Sequence, residues 1–208
     1  MAFDIVGSSL LHGQFTPDGR PIRIKVLDIF EECLIRHGGC LESSAGDSAY
    51  AHFGMVKELK PPADNAASAA SEFRTLLRSF STQSGVPIEC GIGLHFAEKC
   101  LVDLTTNKLS FEGLEIVRKS FSTTSPDVDL VHRIEKFAHE LPGTNVIMTQ
   151  AFVDRLSQPP VGLVLLGDTL FKGQTKPVKI LLKPSDQITP KDIDRARHKI
   201  SEPLAKSA

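Results

Sequence analysis

The chain has no tryptophan and one tyrosine in 208 residues, and its 24 Lys and Arg almost balance its 25 Asp and Glu. A formal net charge of -1 excludes a global electrostatic pull towards nucleic acid or an anionic membrane surface, so any phosphate binding must be local. No apolar run approaches the ~20 residues of a membrane span. A strand opens almost at the first residue, which leaves no room for a signal peptide. A soluble, cytoplasmic protein is expected, with neither membrane nor nucleic acid among its partners. Four cysteines, Cys33, Cys40, Cys90 and Cys100, form no CxxC pair and no zinc-type spacing with histidine. Reduced, mostly buried thiols are expected of them.

What is present is an ordinary globular composition, 41% hydrophobic and 24% charged, long enough for one well-buried domain and too short for two large ones. Residues 2–6 read as a short buried strand in which Asp4 is the anomaly. Val26, Ile29, Phe30, Cys33 and Leu34 recur at helical spacing before Gly38-Gly39 ends the helix. Residues 40–45 and 48–54 read as a hairpin turning at Gly46-Asp47. A second helix carries Ala66, Ala70, Phe73, Leu77 and Phe80 on one face. Strands are expected at 87–96 and at 101–111, the latter bending at Thr105, Thr106 and Asn107. A third helix spans roughly 126–140, and Asn145–Met148 is a strand. Thr149 caps a short helix over 150–157, and residues 162–182 form a hairpin around Lys172-Gly173-Gln174. The order β-α-β-β-α-β predicts an α+β, ferredoxin-like sandwich with extra C-terminal strands.

Two segments carry the chemistry, Phe3-Asp4-Ile5-Val6-Gly7-Ser8-Ser9 and Gly38-Gly39-Cys40-Leu41-Glu42-Ser43-Ser44-Ala45-Gly46-Asp47. Each sets one aspartate at a strand edge beside small residues, and a hard divalent cation needs such oxygen ligands. Taken singly, Asp4 is a strand-end residue and Asp47 a turn aspartate. In this order and at this separation, the two segments resemble the catalytic core of the class III nucleotide cyclases, the adenylate and guanylate cyclase family. Ile92-Gly93-Leu94-His95 is similar to that family's Ile-Gly-Ile-His strand. Val131-His132-Arg133-Ile134-Glu135 is similar to its Ala-Ala-Arg-Leu-Glu helix, and Leu170-Phe171-Lys172-Gly173 to its Leu-Lys-Gly hairpin segment.

The resemblance implies a catalytic domain over residues 1–184, followed by a polar C-terminal tail, 185–208, with a helix opening at Pro190. It implies two divalent cations, Mn2+ or Mg2+, held by Asp4, Asp47 and the carbonyl of Ile5. It further implies Arg133 on the phosphates in the transition state, Lys172 on the triphosphate, and a homodimer with sites at its interface. The departures concern the base. A purine-reading lysine or glutamate becomes Ser43, the second base-reading position falls on Ser122, and the ribose-orienting asparagine becomes Asp129. Replacing a long donor by a short hydroxyl removes ordinary purine recognition, while the aspartates, Arg133 and Lys172 remain. That pattern resembles the pyrimidine cyclases of bacterial anti-phage signalling, which implies a uridylate or cytidylate cyclase, UTP ahead of CTP, whose product a separate effector senses. Tyr50, just after the metal turn, is a candidate wall for a smaller base and equally a residue packed on the sheet. An adenylate cyclase with an altered pocket and a catalytically inactive interaction module are the competing readings.

Overall fold

Alternation along the first strand divides the molecule into two layers of helix around one sheet: Phe3 and Ile5 point to one face, Ala2 and Asp4 to the other. A computed structural model describes residues 1–55, 58, 61–111, 114–172 and 174–205. In chain order the elements are β1 (Ala2–Ile5), α1 (Ile22–Arg36), β2 (Gly39–Ala45), β3 (Ser48–Phe53), α2 (Pro62–Ser84), β4 (Cys90–Leu94), β5 (Leu101–Phe111) and β6 (Leu114–Thr124). They continue with α3 (Pro126–Ala138), β7 (Asn145–Thr149), α4 (Gln150–Val153), β8 (Val164–Thr169), β9 (Val178–Lys183) and α5 (Pro190–Ala205). Seven strands form one sheet in the order β2-β3-β1-β4-β7-β9-β8. Its first four have the ferredoxin-like arrangement, and β4 with β7 is the parallel pair. The architecture is the expected α+β sandwich with added C-terminal strands.

The apolar stripes of α1 and α2 cover the Phe3 and Ile5 face. Its centre is three mutually packed rings, with Phe3 4.4 Å from Phe30 and 5.0 Å from Phe73 between centroids. On the opposite face, α3 lies over β4, β7 and β1. It can approach closely because β4 presents glycine there. A Cβ on Gly93 would stand 2.8 Å from the Val131 carbonyl and 2.9 Å from Glu135 Cβ, and one on Gly91 would stand 2.9 Å from the Glu135 carbonyl. Ser125 caps α3, its hydroxyl accepting from the Val128 N–H at 3.2 Å. Helix α5 lies on β8 of the same face, with Ile200 fully buried.

One expected bend is absent. Strand β5 runs straight through Thr105, Thr106 and Asn107, which pair with Ser120, Lys119 and Arg118. β-branched threonine favours extended backbone, and the pairing continues as far as Phe111 with Leu114. The pair β5–β6 is a separate two-stranded sheet that leaves Leu101, Val102, Leu104 and Val117 exposed. Gly173 of the closing hairpin lies outside the described residues.

Candidate active site

Asp4 and Asp47 come together because β1 and β3 are neighbours: Asp4 pairs with Ser48, and the Ile5 N–H donates to the Asp47 carbonyl at 3.1 Å. Gly46 makes the tight turn possible, its φ of 69° lying in the left-handed region. Asp4 is partly buried, and its Oδ1 is enclosed without a hydrogen-bond partner. Burial raises the pKa of this carboxyl, helped by Glu135 and Asp47 and opposed by His139. An enclosed carboxylate oxygen that feels the charge of Asp47 fits a divalent cation.

Helix α3 adds two groups to that set. Glu135 is 3% exposed, and its Oε1 is also enclosed without a hydrogen bond. His139, one turn on, places Nε2 3.1 Å from Glu135 Oε1 and 3.5 Å from Asp4 Oδ2. Its hydrogen bond goes to the Asp4 carbonyl at 3.2 Å. The Glu135 carboxylate, above all, raises the His139 pKa. One ligand atom from each of Asp4, Glu135 and His139 lies within 4.8 Å of the others. Glu135 stood in the sequence only as part of a helical motif, and His139 carried no signal there. The i, i+4 spacing that puts both on one helix face is legible only once the sheet beneath is known.

A second polar cluster lies further along the same face. The Glu42 carboxylate accepts from the Thr123 N–H and hydroxyl, each at 2.7 Å, and contacts His52 Nε2. Burial opposes its ionisation, but these bonds prevail and hold the carboxyl below its usual range. Glu42 sits at a register shift in β2, between Leu41 and Ser43. The shift turns Glu42 inward to fasten the β5–β6 arm to the sheet, and leaves Ser43 exposed opposite Tyr50. Tyr50 is 6% exposed, its ring packed 4.5 Å from His52 and 5.0 Å from His132, and burial raises its pKa. Ser122 is exposed on β6, opposite Asp103.

The remaining candidates are spread along α3 and the closing hairpin. Asp129 is exposed in the first turn of α3 and Arg133 is half-buried one turn later. Among the described residues neither has an ion-pair partner. Lys172 is exposed between β8 and β9. A cleft of about 320 Å3 opens at the N-terminal end of α3, with Tyr50, His52, Phe96, Asp127 and Val131 in its walls. None of Asp4, Asp47, Ser43 and Ser122 lines it. At its edge His95 bonds Thr149 Oγ1 through Nδ1 at 2.8 Å and faces Asp127 with Nε2 at 3.3 Å.

No protein-family model and no curated protein matches the chain. Solved structures do. The guanylyl cyclase Cya2 superposes with a TM-score of 0.63 at 20% identity, over 89% of this chain and 93% of that one. The adenylyl cyclase CyaB from P. aeruginosa gives 0.64 at 16%, over 90% and 94%. The guanylate cyclase domain of RhGC from Catenaria anguillulae, solved in complex with GTP, gives 0.63 at 15%, over 87% and 92%. At these identities the likeness is one of fold: the chain has the fold of class III adenylyl and guanylyl cyclase catalytic domains.

Proposed function

We propose that this protein is a metal-dependent nucleotide cyclase, converting a nucleoside triphosphate to its 3′,5′-cyclic monophosphate and pyrophosphate. The observation that carries the reading is the backbone contact of Ile5 with Asp47, which sets Asp4 beside the β2–β3 turn, together with an enclosed Asp4 oxygen that has no hydrogen-bond partner among the described residues. Bound there, divalent cations would supply the charge that lowers the pKa of the ribose 3′-hydroxyl and neutralises the triphosphate. Asp4, Asp47 and the Ile5 carbonyl would hold them. Arg133, free of an ion-pair partner among the described residues, is available to a phosphoryl oxygen whose charge grows as pyrophosphate departs. Lys172 is exposed for the same class of contact. Asp129, one turn before Arg133, would orient the ribose.

The base assignment is pyrimidine, UTP ahead of CTP. Ser43 and Ser122 would stand at the two base-reading positions, and both residues are exposed. Glu42, the long acidic side chain next to Ser43, already accepts from Thr123 and contacts His52. Tyr50 forms part of the buried wall behind Ser43. The protein is proposed to act as a homodimer that makes a second messenger for antiviral defence. Purified protein incubated with each of the four triphosphates and Mn2+ is expected to yield cyclic UMP or cyclic CMP. Product from ATP or GTP alone overturns the base assignment, and no cyclic product from any triphosphate overturns the activity.

A further inference from the structure

Helix α3 and strand β1 enclose more negative charge than their protein partners compensate. Asp4 and Glu135 bring two carboxylates into one small, mostly buried volume, and among the described residues the enclosed Asp4 Oδ1 accepts no hydrogen bond while Glu135 Oε1 has only the His139 imidazole beside it. Glu135 is 3% exposed. Two carboxylates that share one imidazole in a mostly buried volume are costly unless a cation joins them. The imidazole of His139 is the one nitrogen among them, and its Nε2 faces Glu135 Oε1 at 3.1 Å, the Asp4 carbonyl at 3.2 Å and Asp4 Oδ2 at 3.5 Å. A charged imidazole supplies one positive charge against two negative ones. A divalent cation beside a neutral imidazole balances both.

The glycines of β4 support the same interpretation. Gly91 and Gly93 have no side chain to hold α3 away, and a Cβ on Gly91 would collide with the His139 ring at 2.5 Å. The helix is therefore seated where Glu135 and His139 reach Asp4. We propose that Asp4, Glu135 and His139 form a divalent-cation site that ties α3 to β1 and prefers a borderline transition cation of the Mn2+ class to Mg2+. The nitrogen ligand sets that preference, because Mg2+ takes an all-oxygen octahedral shell whereas imidazole suits the transition series. The proposal rests on the function proposed above only in taking Asp4 as a cation ligand; it uses neither Asp47 nor a nucleotide. Its consequence is that the cation fixes the helix bearing Arg133.

The test is calorimetric titration of MnCl2 and, separately, MgCl2 into the full chain without nucleotide, with melting curves in EDTA to confirm folding. Wild type should bind Mn2+ at least about 10-fold more tightly than Mg2+. Glu135→Gln and His139→Gln should each weaken Mn2+ binding about 10-fold or more. Unchanged Mn2+ affinity in both α3 variants overturns the proposal and leaves the triad an ion-pair network. If a variant does not fold, 15N spectra of wild type titrated with Zn2+ decide instead: the His139 Nε2 resonance should move to a metal-bound position, and a static resonance overturns the proposal. The two readings fail separately. Absence of cyclic product with Mn2+ binding still dependent on α3 counts against the cyclase alone. Turnover with binding that depends on Asp47 and not on Glu135 or His139 counts against the α3 site alone.

Discussion

Asp4 lies where burial disfavours its charge, and among the described residues its Oδ1 meets no donor at hydrogen-bond geometry. In the absence of metal that arrangement is a cost, as expected where a site is built for a ligand. Asp4→Asn should therefore raise the thermal midpoint in EDTA at neutral pH, by the equivalent of about 1 kcal/mol, while abolishing turnover. A lower midpoint would show that the carboxylate stabilises the apoprotein. Asp47→Ala should abolish turnover and leave the midpoint nearly unchanged. The pH dependence has a defined sign. The folded pKa of His139 is raised above its ordinary value of 6.5, so its stabilising contribution is complete below about 6.5 and is lost as pH rises through the higher folded value. The raised carboxyl of Asp4 acts in the same direction at lower pH. The melting midpoint in EDTA should fall from pH 6 to pH 8, and His139→Gln should flatten that slope; an equal slope in the variant would remove His139 as its source.

At the scale of elements, two contacts hold the site in shape. Glycine at position 93 lets α3 settle on β4. Gly93→Ala should force the helix outward at a cost of about 1–3 kcal/mol, read as a lower denaturant midpoint together with weaker Mn2+ binding. Loss of stability without loss of binding would show that the helix gives way without disturbing the triad. The other contact is Glu42, which joins β2 to β6 through Thr123 and to β3 through His52. Glu42→Ala leaves the Thr123 N–H and the His52 ring without their acceptor and should cost about 1–3 kcal/mol. Amide exchange is expected to rise first along β6. Uniform loss of protection would place Glu42 in the global core rather than at the root of the arm.

For the whole molecule, a site shared between two copies makes a sharper prediction than any single substitution. If one protomer supplies Asp4 and Asp47 and its partner supplies Arg133, Asp47→Ala and Arg133→Ala proteins, each inactive alone, should regain turnover when mixed. Random exchange yields one intact site in half of the dimers, or about a quarter of wild-type activity. No recovery on mixing would put both groups in the same protomer's site. The apolar residues that the β5–β6 arm exposes, Leu101 and Leu104 among them, belong to this scale as well, since an isolated two-stranded sheet is marginal in water without packing.

Unlike strand β6, the helical stripes of α1, α2 and α3 and the hairpin at Gly46-Asp47 were written in the sequence, because local periodicity and turn chemistry decide them. So was the pairing of two aspartates with a nucleotide-cyclase pattern. The tertiary structure alone decided which polar groups share a volume. His139 lies 135 residues from Asp4, and Thr123 lies 81 residues from Glu42. No window of sequence contains either pair. The inward turn of Glu42 depends on a register shift, and the seat of α3 depends on two absent side chains in β4. Contacts of that kind arise from sheet order and close packing, and neither has a local signature.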